Sequence, residues 1–157
     1  MPLIILHTHI FSPIDRCFDL SRSIDLHQIT TSNTKEKAIA GKTSGLIALD
    51  EFVTWEANHF GIRQQLSSKI TIYDRPYHFR DEQLKGIFKT IVHDHYFEDN
   101  SENMTTMKDV FYFESPFGIV GKIFNYLVLT NYLKNLLIKR NNIIKEYAES
   151  ESWKKLL

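Results

Sequence analysis

The chain has one cysteine, Cys17, so no internal disulfide can brace it. Charge of one sign is also missing: 19 Lys and Arg balance 19 Asp and Glu, for a formal net charge of zero. Without a basic field there is little to displace counterions from a polyanion, and no nucleic-acid partner is expected. Six glycines and four prolines in 157 residues exclude collagen-like repeats, and 43% hydrophobic content excludes disorder. A clean membrane span is absent too. The most apolar stretch, 119–138, carries Lys122, Asn125, Asn131, Lys134 and Asn135, whereas a span needs about 20 residues almost free of such groups. Residues 1–11 have no basic region, and their apolar run is broken by His7, Thr8 and His9, unlike a signal peptide. These absences predict a single cytoplasmic domain over 1–157 with no stable membrane insertion.

Several motifs are missing as well. Gly41-Lys42-Thr43 echoes the end of a phosphate loop, but 35–40 lacks the glycine that would open one. There is no G-x-S-x-G, Cys17 falls on the apolar side of a predicted helix, and Ser115 precedes a proline. Neither a nucleotide site nor an activated nucleophile is expected, and no cofactor is expected.

What is present is a strong alternation of extended runs. Residues 3–11 are rich in β-branched and aromatic side chains and stop at Ser12-Pro13. Ser12 is the predicted N-cap of a helix with Pro13 at its first position. One or two short helices follow over 13–31, then a polar loop over 30–37. From there the pattern becomes strands at 45–49, 52–60, 66–73, 77–83, 87–98 and 104–115, separated by turn residues. With the first strand that makes about seven, joined mostly by hairpins, so the sheet should be antiparallel. Residues from 119 to about 150 are helical. Tyr126, Leu129, Leu133, Leu137, Arg140 and Ile144 fall on one stripe of a rod near 48 Å long. The fold class is α+β, with a long C-terminal helix laid on one face of a curved sheet.

Alternation also assigns faces. Val53, Trp55, Ala57 and His59 share one face; Leu66, Ile70 and Ile72 should face the same way, with an even-length connection within 61–65. In the next hairpin Ile91, His93, His95 and Phe97 share a face, as do Met107, Asp109, Phe111 and Phe113. A three-residue turn at 100–102 would pair 97 with 105, 95 with 107 and 93 with 109; a slide of two keeps the faces together. Two imidazoles and a carboxylate therefore meet on an apolar wall, where polar groups need partners.

The order of segments now resembles a known superfamily. Val53-Thr54-Trp55-Glu56-Ala57-Asn58-His59-Phe60-Gly61 leads to Lys69-Ile70-Thr71-Ile72-Tyr73-Asp74-Arg75-Pro76 and Phe79-Arg80-Asp81. Then come Gly86-Ile87-Phe88, His93-Asp94-His95-Tyr96-Phe97, Thr106-Met107-Lys108-Asp109 and Ser115-Pro116-Phe117-Gly118. This is similar to START-like (SRPBCC, helix-grip) ligand-binding proteins, in the branch with polyketide-cyclase-like members. The resemblance implies a seven-stranded antiparallel sheet gripping the long helix, with a cavity between them. It implies no shared chemistry, because the superfamily holds carriers, sensors and a few enzymes.

The expected function is binding of a small hydrophobic or amphipathic ligand, lipid or polyketide-like, as a monomer or homodimer. Candidate ligand-binding residues are Trp55, His59, Phe79, His93, His95, Met107, Asp109, Phe111, Leu133, Leu137 and Arg140. Arg140 interrupts the apolar stripe and could hold a ligand anion or pair with Asp81 or Asp109. No metal is expected: two histidines two apart on a strand, with Asp109, make an incomplete set without a further Cys/His cluster. The alternative is a cyclase or dehydratase-type enzyme using a His/Asp109 pair, since a carboxylate can fix an imidazole tautomer. The helix is apolar nearly all round at its start, and the early helices with Ile14, Phe18 and Leu26 are the predicted cover.

Overall fold

Seven strands form one antiparallel sheet in the computed structural model, which describes residues 2–157. They are β1 (Leu3–Ile10), β2 (Lys37–Gly41), β3 (Phe52–His59), β4 (Ile62–Asp74), β5 (His78–Lys85), β6 (Thr90–Asp99) and β7 (Thr105–Glu114), in the order β1-β7-β6-β5-β4-β3-β2. Two short helices, α1 (Ile14–Ser21) and α2 (Ile24–Thr30), follow the first strand. The C-terminal helix runs from Gly118 to Glu149 as α3 (Gly118–Phe124), a π-helical turn (Asn125–Leu129) and α4 (Thr130–Glu149). This is the α+β architecture the resemblance implied.

Local chemistry explains most of the boundaries, and where the expectation was wrong it explains why. Ser12 does not cap α1: Pro13 occupies the cap position without a side-chain bond, and the Ser12 carbonyl instead accepts from the Thr105 hydroxyl at 2.7 Å. The cap appears one helix later, where Ser23 Oγ accepts from the Leu26 amide at 3.1 Å. The expected strand at 45–49 is not one. Its backbone is taken by α2 and the turn before it, through Ile24 N to Gly45 O (2.9 Å), Ile47 N to Arg22 O (3.2 Å) and Gly45 N to the Asp25 carboxylate (2.8 Å). The seventh strand is β2, which begins where the expected loop ends and runs through residues to which no strand was assigned; Lys-Ala-Ile-Ala-Gly offers one large apolar residue, Ile39, and that one is exposed.

Two hairpins set the register of the site. The β3–β4 connection is the two-residue turn Phe60-Gly61, both at positive φ (53° and 75°), the geometry that matches strand twist. It starts β4 at Ile62 and pairs Trp55 with Leu66. A bulge at Thr71 then flips the alternation, so that Ile72 pairs with outward Arg80 while Tyr73 turns in to pack edge-on against Phe18. Ile72 is therefore not on the inner face, contrary to strict alternation. In the β6–β7 hairpin Phe97 pairs with Met107, His95 with Asp109 and His93 with Phe111, the slid register. Ser101, Glu102 and Asn103 in left-handed conformation make the longer loop that produces the slide.

The core has two parts. One joins Phe18, Leu26, Phe79, Phe97, Met107 and Ile144; the other joins Ile4, Ile91, Phe113, Leu129 and Leu137. Consequently α1 and α2 pack against the later turns of α4, not against the helix start as expected. Around that start Ile119, Val120 and Tyr126 are 78%, 74% and 83% exposed.

An ion cluster ties α1 to the β4–β5 turn. Asp19 accepts from Arg22 at 2.9 Å and from Arg75 at 3.1 and 2.7 Å. Burial alone would raise the Asp19 carboxyl, but the bonds from Arg75 and Arg22 outweigh it and hold the group below its ordinary value. A carboxyl lowered on folding stabilises above its unfolded pKa, and that contribution is lost as pH falls through the folded pKa. Asp19→Asn should therefore cost about 1 kcal/mol near neutral pH. In urea melts at stepped pH, the gap between wild type and variant should hold down to about pH 5 and close below 3.8. A gap that widened in acid would refute this.

Candidate functional site

Between sheet and helix lies a cavity of about 230 Å³ whose walls come from both halves of the core. Trp55, His59, Phe79, His93, His95, Phe111, Leu133, Leu137 and Arg140 all line it. Met107 and Asp109 do not. Met107 is fully buried in the first core cluster, its sulfur accepting from the Ser21 hydroxyl at 3.3 Å. Asp109 is also fully buried and stands behind the histidines as their anchor. Exposed Gln65 and Ile87 belong to the lining and mark where it meets solvent.

The polar floor follows from three adjacent strands. Asp81 of β5 lies opposite His93 of β6, and Phe79 lies opposite His95, which in turn faces Asp109 of β7. The hydrogen bonds run along the diagonals, which side chains of this length can reach. His93 Nε2 lies 2.8 Å from Asp109 Oδ1, and His95 Nε2 lies 2.9 Å from Asp81 Oδ2. The two imidazoles lie against each other with ring centres 3.7 Å apart and planes tilted by 36°, and His95 stacks on Phe79 at 4.2 Å. From the helix side, Asn141 Nδ2 donates to Asp109 Oδ2 at 2.6 Å. Arg140 Nη1 reaches Asp109 Oδ1 at 3.5 Å and donates to Asn141 Oδ1 at 2.9 Å, while Nη2 donates to the Ser21 carbonyl at 3.2 Å. Arg140 thus neither snorkels to solvent nor waits unpaired.

Electrostatics sharpen the roles. Burial would raise the Asp109 carboxyl, but the histidine bonds and the Arg140 charge hold it well below the usual range. Asp81 is likewise lowered, against burial, chiefly by its bond from His95. His93 is pushed down by burial and by the neighbouring His95, which outweighs the pull of Asp109. The floor is therefore two carboxylates and one guanidinium around an imidazole that burial keeps neutral.

A second polar group sits elsewhere on the wall. His27 lies 2.8 Å from Glu36, and its ring sits 4.2 Å from that of Trp55 at a tilt of 34°. His59 Nδ1 and the Tyr132 hydroxyl are hydrogen-bonded at 2.7 Å, and burial lowers His59 and raises Tyr132, so both members of the pair are favoured in their neutral forms. Sequence reasoning named Asp81 only as a possible partner of Arg140, not as a site residue, and missed Asn141. Asp81 was within reach, since alternation from Phe79 puts it on the same face; Asn141 reads as a polar-face residue until the helix is docked.

No protein-family model matches the chain, and no curated protein matches it in sequence. Solved structures do. The protein TTHA0849 from Thermus thermophilus superposes with a TM-score of 0.71 at 14% identity, covering 91% of this chain and 97% of its own. Protein CV1439 from Chromobacterium violaceum gives 0.70 at 10% identity over 95% and 98%. The ginseng major latex-like protein 151 from Panax ginseng gives 0.68 at 17% identity over 94% and 97%. At these identities the likeness is one of fold. The chain has the START-like helix-grip fold.

Proposed function

We propose that the protein binds a small hydrophobic or amphipathic molecule in the cavity between sheet and C-terminal helix. The supporting observation is the cavity itself: space of about 230 Å³ walled by Trp55, Val53, Ile70, Phe111, Leu133 and Leu137, with one fixed polar floor. Apolar pockets with a few placed polar groups are the usual form of small-molecule sites. Size narrows the class. A cavity of about 150 Å³ accepts benzene, so this one suits about ten heavy atoms, a bicyclic aromatic or a medium acyl chain rather than a two-chain lipid. Among the described residues, no helix is long and apolar enough to cross a membrane.

Naphthol, a neutral bicyclic of this size, is the direct probe. At a hundredfold excess over its Kd it should add about 2.7 kcal/mol to stability and raise the melting temperature by roughly 5–10 °C. No shift with naphthol or with a set of related aromatics and acyl compounds would contradict the reading.

The second reading is a cyclase or dehydratase-type enzyme, favoured by the 2.8 Å bond from His93 to Asp109 that leaves the opposite ring nitrogen toward the cavity. It requires turnover that His93→Gln abolishes.

A further inference from the structure

Three nitrogen and oxygen donors converge on the cavity floor. The facing ligand atoms of Asp81, His93 and His95 all lie within 4.8 Å of one another. Asp81 Oδ2 is 2.9 Å from His95 Nε2 and 3.9 Å from His93 Nδ1. Bonds of about 2.0–2.1 Å in a tetrahedron place neighbouring donor atoms about 3.3–3.4 Å apart, a value these two edges bracket. We infer that Asp81, His93 and His95 form a binding site for a divalent first-row transition ion such as zinc, with its remaining position open to the cavity.

The surroundings support the donors independently. His93 gives Nε2 to Asp109 at 2.8 Å, and Asn141 and Arg140 hold Asp109 from the helix. That is the outer-shell support a ligating histidine has: the proton is fixed on one ring nitrogen and the lone pair on the other, here Nδ1, faces the site. His95 has the complementary feature. Its Nδ1 is buried without a hydrogen bond, although Asp109 Oδ1 is only 3.2 Å away. With an ion at Nε2, the His95 proton moves to Nδ1, toward Asp109, and the orphan is removed. The donor set of two imidazoles and one carboxylate suits zinc-like ions rather than calcium or magnesium. The sequence reading found no metal set because it counted Asp109 as the carboxylate, whereas the β5–β6 register supplies Asp81 as the third donor.

The charge balance also names the fourth ligand. A ligating imidazole is neutral, so with His93 and His95 as ligands Asp81, Asp109 and Arg140 sum to one negative charge, and a divalent ion makes the sum one positive. One anionic oxygen, a carboxylate, phenolate or enolate on the bound molecule, closes the balance, with its apolar part on Trp55 and Phe111. This last step rests on the ligand-binding reading; the ion site does not.

The test uses the full chain, stripped with chelator and then dialysed against zinc, with cobalt as the spectroscopic substitute. One equivalent should bind with a Kd tighter than about 10 µM, and cobalt should show the visible bands of a low-coordinate N/O site. Asp81→Asn and His95→Gln should each weaken binding at least about 100-fold, Asp109→Asn about 10–100-fold, and His9→Ala, at an exposed position of β1, not at all. Absence of saturable binding, or binding unchanged in Asp81→Asn and His95→Gln, overturns the site. Naphthol bound with no zinc site would overturn this inference alone; zinc bound with no shift from naphthol or the related aromatics and acyl compounds would overturn the cavity reading alone.

Discussion

Replacing Asp109 by alanine should destabilise the protein by about 3–5 kcal/mol, the loss expected when one partner is removed from a buried charged network. The carboxylate is fully buried, and His93, Asn141 and Arg140 all direct a polar group at it. Alanine leaves the Arg140 guanidinium, 7% exposed, without its counter-charge and opens a void beside it. Leucine should fare no better, because filling the void does not neutralise Arg140. Asparagine keeps the shape and one acceptor oxygen, so it should cost less, about 1–3 kcal/mol. Equilibrium denaturation of the three variants gives the order. An alanine or leucine variant within about 1 kcal/mol of wild type would show that the floor is not a mutually supporting network.

The largest effect on binding is expected from Ala57→Phe. Ala57 is buried on β3, faces the cavity and makes no polar contact that the substitution would break. A phenyl ring takes a space of about 150 Å³, well over half of the 230 Å³ on offer. Naphthol affinity should fall at least about 30-fold, while overpacking should cost stability no more than about 1–3 kcal/mol. Folded Ala57→Phe that bound naphthol like wild type would place the binding elsewhere.

Features set by short-range rules were legible in the sequence. Period-two alternation put Trp55, His93, His95 and Phe111 on inner faces, and the hairpin faces survive any even slide, so the two imidazoles and Asp109 were together before their register was known. The helix stripe likewise placed Leu133, Leu137 and Arg140 toward the sheet. What was illegible depends on tertiary context. Thr71 carries no mark of a bulge, yet it turns Ile72 out and Tyr73 in. Strand β2 forms on Lys37–Gly41 because β3 presents an open edge, while the better β-former Leu46-Ile47 is diverted by helix ends that need its backbone. Asp109 was read as a wall residue, but packing by Asn141 and Arg140 sinks it behind the histidines and leaves Asp81 facing the space.

A small, largely apolar molecule held in the cavity should survive gentle purification and be visible by native mass spectrometry. Wild type should retain, in part of the population, a single adduct of about ten heavy atoms' mass that disappears on denaturation and is missing from Ala57→Phe. A bare chain mass for wild type even after incubation with naphthol, or an adduct retained equally by Ala57→Phe, would contradict binding in the cavity.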